Sequence, residues 1–218
     1  MGRERKKLER VSHVRDARLF VIATEGEETE KQYFENLTSK EWYCNPRVLI
    51  EVLERSTSAS NPKRILRLLD ERKKKRGLKF DDELWLVIDR DKQSWTVEEI
   101  AKVAQVCYQK GYYLAVSNPC FEFWLLLHLN SLEEYSDTTL QEFLDNKKVT
   151  SNRTRLEMEL VLQLGSYNKS NLETSSFLPF IKEAIERAKQ LDMNSEQRWP
   201  NQLGTRVYIL VEKIICGY

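Results

Sequence analysis

Apolar residues follow two rhythms along this chain, and the change between them divides it. Up to about residue 131, short unbroken apolar runs alternate with segments in which apolar residues recur every three or four positions; beyond it only the second rhythm persists. The unbroken runs at residues 19–23, 48–53, 84–88 and 112–116 have the length of strands covered on both faces, as in a parallel sheet. Between them, Tyr33, Phe34 and Leu37 share one helical face. Ile65, Leu66, Leu68 and Leu69 mark a helix over residues 62–75, and Val97, Ile100, Ala104 and Cys107 mark another, which Gly111 ends. Strands and helices alternating through right-handed crossovers predict an α/β fold: a parallel four-stranded sheet flanked by helices.

Residues 117–129 begin with Ser117, Asn118 and Pro119, suited to the start of a helix, and continue apolar almost all round, so that helix must be buried on most faces. From Leu132 the pattern predicts helices alone. One is marked by Leu140, Phe143 and Leu144, and one by Leu156, Leu160, Val161 and Leu164 before Gly165. A long one runs from Phe177 to Leu191, and a last one spans Val207 to Ile215 with Thr205 as its cap. The organisation expected is a basic mobile tail at 1–16, an α/β domain at 17–131 and a helical extension packed on it at 132–218.

Length adds that the chain can build a core without staples, since 218 residues bury about 70% of the surface of the unfolded chain. Charge adds little, because the net value is +1 and local clusters must carry any argument about nucleic acid. Cys44, Cys107, Cys120 and Cys216 are scattered, with no C-x-x-C. No signal peptide and no apolar run of about 18 residues is present, which reads as a reduced, soluble, cytoplasmic protein away from membranes. His13 and His128 are too few for an imidazole site, so a bound metal would be held by oxygen, favouring Mg²⁺ or Mn²⁺.

The candidate chemistry lies at strand ends. Asp89 and Asp91 close the 84–88 run, and two extended residues at that spacing point the same way about 6–7 Å apart, near enough to share a cation. The run at 19–23 ends at Thr24, Glu25 and Gly26. The helix dipole accounts for Glu27 and Glu28 at the following helix start and extends to Glu30; it does not account for Glu25, which precedes the glycine. Glu122 is the odd acid in the first turn of the greasy helix. In a parallel sheet all these strand ends share one edge, where open α/β sheets place ligands. Phosphate-cradling glycine loops are missing, since Gly26 stands alone, and this counts against a nucleotide-cofactor enzyme. The strongest basic patch is Lys63, Arg64, Arg67, Lys73 and Lys74 on the 62–75 helix, a candidate surface for backbone phosphates.

Three of these features together carry a resemblance: EG-x-x-TE from Glu25 to Glu30, D-x-D at Asp89 and Asp91, and SNPCFEFWLLLH from Ser117 to His128. The chain resembles the RloB family, whose fold is similar to the Toprim domain, from about Leu19 to Leu129 and more loosely around Tyr167 to Lys169 and in the C-terminal helix. The resemblance implies a strand-end glutamate, matched by Glu25, and a D-x-D pair, matched by Asp89 and Asp91, holding Mg²⁺ for phosphodiester cleavage or transfer. The longer acidic pattern of topoisomerase-type Toprim domains is broken by Gln93; Glu122 or Glu30 would replace the missing ligand, and Lys169 would contact a phosphate. With no tyrosine nucleophile motif, water-driven cleavage of DNA or RNA, transfer RNA included, is expected.

The family also implies prokaryotic anti-phage defence and an ATPase partner of the AAA or ABC kind, with homo-oligomers left open. The competing expectations are a non-catalytic module that binds nucleic acid or a partner, and phosphoryl chemistry on a small nucleotide in a closed pocket.

Overall fold

The computed structural model describes residues 16–26, 28–54, 62–75, 77–90, 96–194 and 196–217. The tail expected at 1–16 lies, but for Asp16, outside them. Strands β1 (Arg18–Thr24), β2 (Val48–Val52), β3 (Glu83–Asp89) and β4 (Tyr113–Asn118) are parallel, in the order β2-β1-β3-β4. Their unbroken apolar character follows from having a core on each side. In β1, Phe20 and Ile22 join Tyr33, Phe34 and Trp85 on one face, while Leu19, Val21 and Ala23 join Ile65, Leu69, Ile88 and Ile100 on the other. Helix α1 (Thr29–Leu37) lies on the first face; α2 (Pro62–Lys74) and α3 (Val97–Lys110) lie on the second. A capping box between Thr96 and Glu99 starts α3, and Gly111, at φ 69°, ends it in the left-handed region that glycine adopts without a Cβ penalty.

The pattern predicts four strands; the sheet has five. Strand β5 (Gly204–Thr205) pairs antiparallel with the end of β4, Ser117 opposite Thr205 and Asn118 opposite Gly204. Two residues are too few to show a period, and hydrogen bonds rather than apolar burial define this strand. Ser117 Oγ lies 2.8 Å from Thr205 Oγ1, and Asn118 Nδ2 donates to the carbonyls of Pro200 and Gln202 at 3.2 and 2.8 Å. The Arg206 guanidinium ties Asp192, the Asn194 carbonyl and the Gln197 carbonyl together just beyond it. Residues 132–218 are therefore not helices alone.

The buried helix is α4 (Phe121–Leu129), with every residue from Phe121 to His128 out of solvent. Such a helix needs cover on all sides. The end of the sheet supplies one side, and α6 (Arg155–Leu164) and α7 (Ile181–Leu191) supply others. Helix α5 (Asp137–Asp145) leans on α6, and α8 (Val207–Cys216) packs against α7 and β4. Helix α7 starts four residues later than the Phe177 pattern predicts, because Leu178–Phe180, with Pro179 inside it, forms a 3-10 turn instead. Phe143, Leu156, Ile181 and Val207 share one apolar cluster with Phe20 and Trp85, so sheet and helical extension have a common core. Among the described residues no helix is long and apolar enough to cross a membrane.

His128 sits at the centre of that core. Its Nδ1 is 2.9 Å from the Trp124 carbonyl, which can only accept, so Nδ1 carries the proton and Nε2 accepts from the Tyr33 hydroxyl at 3.0 Å. Burial pushes the imidazole down from 6.5 to about 3. A folded-state value below the unfolded one gives stability that is complete above 6.5 and is lost as pH falls toward 3. Relative to a His128→Gln variant, the protein is expected to lose up to about 1.4 kcal/mol per pH unit across that window, read from urea midpoints between about pH 7 and about pH 5. Identical pH dependence in the two proteins would exclude a buried neutral histidine.

Candidate active site

The chain leaves β1 for β2 on one side and returns as β3 on the other, so the strand order reverses between β1 and β3. The connections there depart to opposite faces and open a crevice at the carboxyl ends of the strands. Glu25 directly follows β1, and Asp89 is the last residue of β3. The Glu25 N–H donates to the Val87 carbonyl at 3.0 Å, and Glu25 Oε2 accepts the Asp89 N–H at 3.0 Å, which lays the Glu25 side chain across the crevice.

Glu30, in the first turn of α1, is buried and folds back so that Oε1 accepts the Gly26 N–H at 2.9 Å. A Cβ at position 26 would collide with that carboxyl group and force it to shift, so the glycine permits this close approach. Glu122 arrives from the first turn of α4 and is also buried. Its Oε1 accepts the Tyr167 hydroxyl at 3.2 Å and lies 2.9 Å from Lys169 Nζ, which is also 2.6 Å from Glu157 Oε1. Gly26, Thr29, Glu30, Asp89, Glu122 and Lys169 line a cleft of about 240 Å³.

The acids in this cleft do not behave alike. Burial raises the Asp89 carboxyl well above the usual carboxylate range, and the charges of Glu30, Glu25 and Glu122 raise it further against a smaller opposing effect of Lys169. Glu30 is pushed up to about 7 by burial and by Glu122. Burial also works against a charged Glu122, but the Lys169 ammonium and the Cys120 thiol outweigh it and hold this carboxyl below its ordinary value. Lys169, which burial alone would push down, is raised by Glu122 and Glu157. The cleft therefore contains one anion with its own cation beside two carboxyl groups that lack one, and an oxygen-only donor set of this kind suits a hard divalent ion. Among the described residues no three His, Cys, Asp or Glu side chains are already gathered into a metal-binding group.

Of the residues singled out by the sequence, Glu25, Glu30, Asp89, Glu122 and Lys169 meet at this edge. Asp91, Glu27, Gln93, His13 and the Lys63 side chain lie outside the described residues. Arg64 and Arg67 project from the earlier part of α2, exposed. Lys73 and Lys74 lie about 9–15 Å further along that helix at 1.5 Å per residue, toward the start of β4, where Lys73 Nζ donates to the Lys110 carbonyl at 2.6 Å. The patch is thus split between the cleft's side of the sheet and the opposite side. Glu157 and Tyr167 were not singled out. Thr154-x-x-Glu157 is legible as a helix-starting capping box, but nothing local tells that its glutamate reaches a lysine twelve residues on.

The Glu30 carboxyl is the clearest electrostatic reporter of the site. Its folded value of about 7 exceeds the ordinary 4.5, so it weakens the fold as pH rises through that interval and has no effect below it. Glu30→Gln, whose amide oxygen can still accept the Gly26 N–H, is expected to stabilise the metal-free protein at about pH 8 by on the order of 2–3 kcal/mol. The gain should disappear near pH 4.5 in urea titrations with EDTA. A pH-independent difference would mean that the Glu30 carboxyl is not raised in the fold.

No curated protein and no solved structure matches this chain. A family model described as RloB-like protein matches residues 20–214, from β1 through α8, and the chain therefore belongs to the RloB-like protein family.

Proposed function

We propose that the protein is a metal-dependent nuclease cleaving phosphodiester bonds at the β1–β3 crevice. The observation that carries this reading is the convergence of Glu25, Glu30, Asp89 and Glu122 at one strand edge, with the Asp89 carboxyl raised by burial and further by the other three. Evolving a site that presses like charges together is costly unless a cation is to be held there. Glu25, Asp89 and Asp91 would hold Mg²⁺ or Mn²⁺, with Glu30 completing the oxygen set. When bound, such an ion lowers the pKa of water and neutralises charge on a phosphoryl oxygen.

The remaining work falls to side chains. Lys169, half-exposed at the cleft, offers an ammonium to a phosphate oxygen. Glu122 serves as its buried anchor, a role that fits its own lowered value better than metal ligation does. The Asp89 carboxyl, raised by burial and by its acidic neighbours, would have to be ionised to hold the ion, so activity should rise with pH. Arg64 and Arg67, in the earlier part of α2, would supply contacts to backbone phosphates. With no tyrosine nucleophile motif in the sequence, water is the nucleophile this reading expects. Family membership supports a setting in prokaryotic anti-phage defence with an AAA-type or ABC-type ATPase partner, and DNA and RNA, transfer RNA included, are both admitted as substrate.

A second reading, a non-catalytic module that binds nucleic acid or a partner, is favoured by one observation: Lys169 already neutralises Glu122, and no ligand group is assembled among the described residues. Incubating the protein with DNA and with total RNA, with and without the ATPase partner, separates the two. The nuclease reading expects cleavage with Mg²⁺ or Mn²⁺, none in EDTA, and a loss of about 100-fold or more in Asp89→Ala, since a metal is worth several kcal/mol and 1.36 kcal/mol is tenfold in rate. Mg²⁺ should also raise the unfolding temperature of the wild type and not of Asp89→Asn. Undiminished cleavage by Asp89→Ala, or nucleic-acid affinity in EDTA with no cleavage under any metal, would overturn the nuclease reading.

A further inference from the structure

The loop between α6 and α7 is fastened at more points than a connector needs. The Tyr167 carbonyl accepts from Arg153 Nη1 at 3.3 Å, and the Lys169 carbonyl accepts the Thr29 hydroxyl at 3.1 Å. Gln32 then bonds both the Ser170 carbonyl and the Leu172 N–H, at 3.1 and 2.8 Å. These bonds fix the backbone of the loop against α1. They leave undetermined the Lys169 side chain, a flexible four-carbon stem with large rotamer entropy.

That side chain is fixed by two carboxylates on different helices, Glu122 of α4 at 2.9 Å and Glu157 of α6 at 2.6 Å. One counter-charge satisfies the buried Glu122; the second adds position rather than neutrality. Glu157 is itself held. Its Oε2 accepts the Thr154 N–H at 2.8 Å within the capping box of α6, and its Oε1 is the atom that faces Lys169. One carboxylate thus joins the start of a helix to the lysine at the cleft, and an ammonium with three N–H donors keeps one for the open side.

We propose that Glu157 is a positioning residue: through the capping box of α6 it sets the Lys169 ammonium over the carboxylate cleft, where the lysine meets a phosphate oxygen of the nucleic acid. The identity of that oxygen rests on the nuclease reading; the positioning rests on the geometry alone.

Glutamine also serves at the third position of a capping box, so Glu157→Gln keeps the cap and removes the charge that holds the lysine. Three quantities are measured on the full chain: the ζ-ammonium NMR signal of Lys169, the unfolding temperature, and kcat and KM for an oligonucleotide. The expected result is an unchanged unfolding temperature, loss of the ammonium signal, and kcat reduced about 10-fold with KM little altered. Adding Glu157→Gln to Lys169→Ala should cost nothing further, because the two act as one unit. Glu157→Asp, which retracts the charge by one methylene, is the second variant should Glu157→Gln not fold, and it too should lose the signal.

Retention of the signal in these variants, unchanged kcat despite its loss, or additive losses in the double variant would overturn the proposal. Should the wild type cleave nothing with any metal, the nuclease reading falls separately, and affinity for a single-stranded oligonucleotide in EDTA decides the positioning role. A loss of about 3-fold or more in Glu157→Gln sustains it, and equal affinity overturns it.

Discussion

Repulsion between carboxylates is the constraint around which the β1–β3 edge is built. Two such charges about 4 Å apart cost on the order of 4 kcal/mol at an effective dielectric near 20, and this edge brings several together. Each acid is accommodated by a different device. Glu25 accepts the backbone N–H of Asp89; Glu30 accepts that of Gly26; Glu122 takes an ammonium and a phenol. Asp89 bears both burial and the remaining repulsion, and its carboxyl is raised well above the usual carboxylate range. The absent side chain of Gly26 belongs to the same scheme, because a Cβ there would displace the Glu30 carboxyl from the main chain.

The device used for Glu122 explains why the site needs the helical extension. Helix α4 contributes its first turn to the cleft and all the rest of its surface to the core, so the acid it carries cannot relax toward solvent. Its counter-charge must come from elements that cover α4, and it comes from the loop after α6. Packing and electrostatics are joined here. The apolar contacts that place α6 beside α4 also determine whether Lys169 can reach both Glu122 and Glu157. A substitution at the interface of α4 with α6 would disturb the lysine without touching it.

This joining also marks the limit of what the sequence discloses. Strands β1 to β4 are legible because burial on both faces leaves an unbroken apolar run, and Glu25 and Asp89 are legible because they stand where such runs stop. The family is legible from EG-x-x-TE, D-x-D and the Ser117 to His128 string; its full span is not, since the family match continues through α8. Strand β5 is hidden, since Gly204 and Thr205 are defined by partners, Asn118 and Ser117, more than eighty residues away. By position alone Glu30 is an ordinary dipole-stabilised acid; the resemblance makes it a candidate ligand, and its carboxyl on Gly26 is seen only in the fold. The Glu122–Lys169–Glu157 arrangement is built from three residues on three elements, and no spacing rule connects them. Local periodicity reports which face is buried, and it is silent on which polar groups are brought together by that burial.

The same distinction applies to the basic surface of α2. Counted along the chain, its lysines and arginines form one patch. In the fold several are already engaged: Arg72 holds Glu51 at 2.7 Å, and Lys73 donates to the Lys110 carbonyl while standing over the Tyr112 ring at 4.9 Å. Lys73 thus serves the start of β4, and Arg72 serves the β2 edge. Arg64 and Arg67, earlier in the helix, are nearer the carboxyl ends of the strands. With the whole chain at a net charge of +1, attraction of a phosphate backbone cannot come from a general positive field. It has to be local, and the cation that stands at the cleft itself is Lys169. Its position is therefore a more consequential variable for this site than the number of basic residues around it.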